Sequence, residues 1–191
     1  MGASGNTASN VSAGKPNIAG AIYVAPKGTA LPTTTSEALN AAFKCLGYVS
    51  EDGLTNSTGL ESEKIKAWGG DTVLVIQTSK DDTFKYTLLE VLNVDVLKYV
   101  YGSDNVSGDL TNGLTINVNN KDVEEHALVI DMVMRDNTAK RIVIPDGKIS
   151  EIEDIVYSDS EAVGYGTTLE CIPDENGNTH YEYLKKTSVS A

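Results

Sequence analysis

The run His126-Ala-Leu-Val-Ile-Asp-Met-Val-Met-Arg-Asp-Asn-Thr-Ala-Lys-Arg-Ile-Val-Ile144 sets the architecture of the chain. Leu128, Ile130, Met132 and Met134 recur at every second position, the period at which an extended strand returns its side chains to one face. Asp136-Asn137-Thr138 then supplies turn-forming residues, and Ala139 to Ile144 resumes a β-prone run. The pattern predicts an antiparallel hairpin with one buried face.

The same grammar extends in both directions. Val73 to Thr78 and Thr83 to Val91, joined by Ser79-Lys80-Asp81-Asp82, read as another hairpin in which Phe84, Tyr86 and Leu88 alternate with Lys85 and Thr87. Ala21 to Ala25 is a short strand stopped by Pro26. Lys148 to Tyr157 and Ala162 to Ile172 are further β-like runs, and Asn176-Gly177 is a type I′ turn signal leading into Thr179 to Leu184. Two segments carry helical spacing instead. Thr33 to Ser36 offer N-caps ahead of Ala38, Leu39, Ala42, Phe43 and Leu46, with Gly47 as C-cap, and Val94 to Tyr101 is closed by Gly102. About eight strands joined as hairpins, with one or two short flanking α-helices, predict a mainly β fold: an antiparallel β-sandwich or barrel.

Two segments stand apart. Residues 1–19 are small and polar and cannot repay their own ordering entropy, so a flexible N-terminal arm is expected ahead of a single domain spanning 20–191. Within it, Tyr48 to Asp71 is polar and glycine-punctuated, and 53–70 reads as a long loop or projecting hairpin. The only Trp lies here. Trp68 either packs on its own core or anchors the segment against a neighbouring subunit, and the candidate contact set is Gly53, Leu54, Ile65, Trp68, Gly69 and Gly70.

A length of 191 residues, 40% hydrophobic, fits one well-filled core. No window nears the roughly 18 apolar residues that a membrane span needs, and the start lacks the pattern of a secretory signal, so a soluble protein without membrane binding is expected. Cys45 and Cys171 exclude a disulfide framework and are expected as reduced, buried thiols. A net charge of −12 argues against clamping nucleic acid and fits either ordinary solubility or a wall that lets DNA pass. Asp131, inside the apolar run 127–134, is a candidate channel-facing acid or, alternatively, a partner of Arg135.

Chemistry finds no foothold. His126 and His180 lack neighbours at zinc-ligand spacing. Asp174, Asn176 and Asn178 begin like a calcium loop, but Thr179 and Lys185 occupy its glycine and glutamate positions. Gly164-Tyr165-Gly166 starts a dinucleotide fingerprint that Leu169 breaks. No nucleophile elbow or phosphate loop occurs, so no catalytic, cofactor-binding or metal residues are assigned and an enzyme is not expected. The sequons at Asn10, Asn56 and Asn105 carry no meaning without secretion.

Several phrases resemble the major tail, or tail tube, proteins of siphophages, the long-tailed non-contractile bacteriophages. They are Ala21-Ile-Tyr-Val-Ala-Pro-Lys-Gly28, Leu46-Gly-Tyr-Val-Ser-Glu-Asp-Gly-Leu54, Trp68-Gly-Gly-Asp-Thr-Val73 and Phe84-Lys-Tyr-Thr-Leu-Leu-Glu90. Ile144-Pro-Asp-Gly-Lys-Ile149, Tyr157-Ser-Asp-Ser-Glu-Ala162 and Tyr165-Gly-Thr-Thr-Leu-Glu-Cys-Ile-Pro-Asp174 add to them, so that about residues 20–185 are covered.

The resemblance implies a β-sandwich subunit that closes with five others into a ring whose inner sheets form one barrel with an acidic lumen. Rings then stack into a virion tail, with the arm and the long loop making contacts between subunits and rings. It implies a tape-measure protein, a tail terminator and distal tail proteins as partners, DNA that passes without specific binding, and synthesis in the host bacterial cytoplasm. Many relatives append an immunoglobulin-like domain, which is not expected here. Two other readings stand beside it. One is the tube protein of a contractile injection system or tail-derived bacteriocin, which a neighbouring sheath gene would favour. The other is a soluble β-sandwich binding module, which an exposed aromatic cluster or concave pocket would favour.

Overall fold

The alternation in the 126–144 run is realised as two long antiparallel strands, β8 (Glu125–Met134) and β9 (Thr138–Ile152). They are joined by a tight turn in which Asp136 and Asn137 both take left-handed backbone angles, which Asp and Asn tolerate best among side-chain-bearing residues. The structure is a computed structural model, and it describes residues 5–17 and 19–186.

Among the described residues, nine strands form one antiparallel sheet around this hairpin. Its path is β3 (Lys44–Cys45), β2 (Ile22–Pro26), β8, β9, β10 (Tyr165–Cys171), β5 (Thr72–Leu88) and β4 (Val49–Lys66), while β1 (Lys15–Pro16) adds to β8 and β11 (Tyr181–Lys186) to β9. A small separate hairpin, β6 (Val106–Asp109) with β7 (Gly113–Ile116), follows the α-helix α1 (Val94–Tyr101). The mainly β, antiparallel class with a short flanking helix is the class expected from the sequence.

The core has two faces. Leu128, Ile130, Ile142 and Ile144 meet Phe84, Tyr86, Leu88, Leu169 and the Val96, Leu97, Tyr99 and Val100 side of α1. Within this core the Tyr86 and Tyr99 hydroxyls satisfy each other at 2.6 Å. α1 begins where the Asn93 side chain accepts from the Asp95 N–H and ends at Gly102, with φ of 92°. The opposite faces of β2, β8 and β9, carrying Ala25, Ala127, Val129 and Val143, are also covered, by Leu31, Leu39, Ala42 and Phe43.

Four expectations are corrected. The segment from Thr33 to Leu46 is turns and a short strand rather than a helix. The Arg141 guanidinium takes the carbonyls of Thr34 (3.0 Å) and Glu37 (2.7 Å), which a helix needs for its own ladder, and the Asn40 side chain accepts from the Ala42 N–H. Ser79 to Asp82 is not a turn either. Strand β5 runs straight through it, Ser79 facing Glu61 and Asp82 facing Thr58, because the reversal occurs at Ala67–Asp71, where Gly69 and Gly70 take positive φ.

The runs at 139–144 and 148–157 are likewise one strand to Ile152. Pro145, with no N–H to give, falls where β9 exchanges β11 for β10 as its partner. The turn at Asn176-Gly177 joins two strands that pair with other neighbours, and only Gly177 has positive φ, so it is not a type I′ hairpin turn.

The thiols stay free. Cys171 is buried, which pushes its thiol up to about 12, and Cys45 is half-buried. The described part of the N-terminal arm is laid along the body: Lys15 pairs with Val133, and the Ser12 hydroxyl accepts from the Arg135 N–H at 2.7 Å.

Candidate assembly surface

Strands β4 and β5 are far longer than the rest of the sheet requires. The β10 pairing ends with Glu170 opposite Thr83, whereas β4 stays paired with β5 as far as Lys66 opposite Thr72. Residues 58–82 are therefore a two-stranded ribbon extending beyond the sheet. At about 3.4 Å per residue, the ten steps from Asp82 to Thr72 carry its tip roughly 34 Å from its root.

The ribbon has no apolar side facing a body. Ile65 lies opposite Leu74 in the register, and Glu63 opposite Ile76, while Val75 faces Lys64 across the other side. Val73, Leu74, Val75 and Ile76 are all exposed, so both ribbon faces present aliphatic surface to water. A continuous aliphatic strand of this kind belongs where both faces are covered. Trp68, in the tip turn, is 106% exposed and so takes no part in its own core.

The six residues singled out in the sequence fall at two ends. Ile65, Trp68, Gly69 and Gly70 are together at the tip. Leu54 is partly buried against the main core at the root, and Gly53, with φ of 73°, sits beside it in the irregular stretch between Val49 and Leu54. The root and tip groups are about 35 Å apart along the ribbon.

Asp131 has a partner other than the Arg135 expected from the sequence. It faces Arg141 across the β8–β9 hairpin, and both its oxygens accept from the guanidinium, at 2.7 and 2.8 Å, rather than from Arg135. Both side chains are largely buried, and the bond to Asp131 raises the Arg141 pKa further. This pair holds the chain around Thr34–Glu37 onto the sheet.

At the root of the ribbon, the buried Asp82 carboxylate gathers three donors. Asn56 Nδ2 of β4 reaches Oδ1 at 2.8 Å, while Thr179 Oγ1 and His180 Nδ1, preceding β11, reach Oδ2 at 2.6 and 2.5 Å. Burial opposes the charge, but these donors outweigh it and hold the carboxyl below its ordinary value. The His180 ring also meets Phe84 edge-on. The sequence offered no sign of this cluster, since Thr179 and His180 are 97 and 98 residues from Asp82.

A third surface is polar. The outward positions of β5, β10, the end of β9 and the residue that follows it include Thr83, Lys85, Thr87, Glu170, Lys148, Glu151 and Glu153, with Thr168 between Lys85 and Glu151 and Lys148 opposite Glu170 in the register. Among the described residues, no group of three or more His, Cys, Asp and Glu side chains is set to hold a metal ion, and no helix is long and apolar enough to cross a membrane.

The chain is thus an antiparallel β protein whose sheet extends into an exposed apolar ribbon. Comparison with family models gives the match directly: residues 4–191 fit the model described as phage tail tube protein, and the chain belongs to that family. No curated protein matches it. Members of the family are structural proteins of the virion tail, not enzymes, and they self-assemble into a tube.

Proposed function

We propose that the chain is the major tail protein of a long-tailed, non-contractile phage: six copies close into a ring, rings stack around a tape-measure protein, and the genome leaves through the bore. A tail terminator and distal tail proteins close the two ends. The observation that carries this reading is the ribbon. Ile65, Val73, Leu74, Val75 and Ile76 remain about half exposed in the single subunit, and covering what remains is worth on the order of 1 kcal/mol each. A second copy is the natural cover, because the family assembles from identical subunits.

The polar sheet face is our choice for the channel wall. Glu151, Glu153 and Glu170 outnumber Lys85 and Lys148 there, so the wall repels phosphate, whereas the charge of Asp131 is offset by Arg141. Electron microscopy of concentrated, purified protein tests the proposal. End-on rings with sixfold symmetry and a central hole are expected, and a preparation that stays monomeric at every concentration overturns it.

A further inference from the structure

We infer that Asp82 is a positioning residue that fixes the angle at which the ribbon leaves the body, and that tube assembly depends on this angle. The inference rests on the reading of the ribbon as the contact between copies. Asp82 is the last buried side chain of β5 before the strand enters the two-stranded stretch, one residue beyond the end of the β10 pairing. An unsupported two-stranded ribbon twists more freely than a wider sheet and is marginally stable by itself. Something must therefore set its direction at the root.

The three donors to Asp82 come from two directions. Asn56 belongs to the ribbon's own partner strand, so its bond ties the two strands together. Thr179 and His180 belong to the connection before β11, which pairs with β9, so their bonds tie the ribbon to the body. His180 is seated by its contact with Phe84, whose side chain is fully buried. The geometry makes leverage decisive. A rotation of about 10° at the root moves a tip about 34 Å away by about 6 Å, which is more than a contact between side chains survives.

A carboxylate accepts all three donors, whereas a carboxamide offers a single oxygen with two lone pairs, so Asp82→Asn keeps the shape but loses the charge and at least one of the three bonds. The direct readout is the distance between spin labels on Ala67→Cys at the tip and Asp104→Cys on the body, in a chain whose Cys45 and Cys171 are replaced by alanine. Labelled protein with Asp82 intact is expected to give one narrow distribution as a monomer. Asp82→Asn is expected to broaden or shift it, and to raise by about tenfold or more the concentration needed for tubes, at a temperature where the body remains folded by circular dichroism.

Thr179→Val and Asn56→Ala remove one donor apiece and leave the others, and intermediate widths are expected from them. They serve also if Asp82→Asn fails to fold. Distributions that match the parent in all variants overturn the inference, as does normal tube formation by a variant whose ribbon has been loosened. If the unsubstituted protein forms no tubes while its distribution still narrows through Asp82, the proposed function fails and the clamp stands, so the two failures are separable.

Discussion

Arg141 keeps a full charge almost out of water, and Asp131 offsets it. Asp131→Ala leaves that charge without its partner and is expected to lower stability by about 3 kcal/mol in urea denaturation. Asp131→Leu combined with Arg141→Met removes both charges and is expected to cost much less. A single-substitution loss below about 1 kcal/mol would show that water reaches the pair. His126 gives a pH prediction at the same scale. Burial pushes its imidazole below the ordinary value, with the Glu124 charge and carbonyl opposing. The folded state thus favours the neutral ring, and stability is full above the unfolded value near 6.5 and declines as pH falls below it. The urea midpoint is expected to drop between about pH 7 and about pH 5, with a flatter profile for His126→Gln.

The partner of Asp131 was within reach of the sequence. Once the turn is set at 136–138, the register that puts Met134 opposite Thr138 puts Asp131 opposite Arg141. Asp82 was not within reach, because no periodicity links positions 82 and 180.

Among the elements, the ribbon makes the sharpest prediction. Trp68 stands in water in the single subunit, so Trp68→Ala is expected to leave the monomer's melting temperature nearly unchanged and to abolish or greatly weaken tube formation. A large drop in monomer melting would mean that the indole supports its own domain after all. Hydrogen exchange over residues 53–70 adds a second measure, since those amides should exchange fast in monomers and slowly in tubes.

The strands were legible because their alternation is local, and α1 because Gly102 closes an apolar stripe of helical spacing. The segment Thr33–Leu46 misled because Arg141, about a hundred residues away, claims the carbonyls of Thr34 and Glu37. Ser79–Asp82 misled because turn-forming residues tolerate a strand when the opposing strand carries Gly59 and Asp82 finds buried donors.

For the whole molecule, the unbalanced charge is the property to test. Replacing Glu151, Glu153 and Glu170 with lysine in the phage is expected to leave tubes intact and slow DNA ejection, since a wall of the opposite sign holds phosphate. Ejection at the normal rate would place the bore elsewhere on the subunit. The global pairing order itself was not readable in advance. It joins β2 to β8 across about a hundred residues, and local pattern carries no record of such a choice.

That pairing has a consequence for the chain while it is being made. A ribosome adds roughly 5 to 20 residues per second, so β2 emerges about 5 to 20 s before the β8 strand that completes it. The β4–β5 ribbon, whose partners are close in sequence, is synthesised within that interval. The newborn subunit therefore carries its exposed aliphatic ribbon before it owns a body to mount it on. Neighbouring ribosomes on one message hold many such ribbons close together.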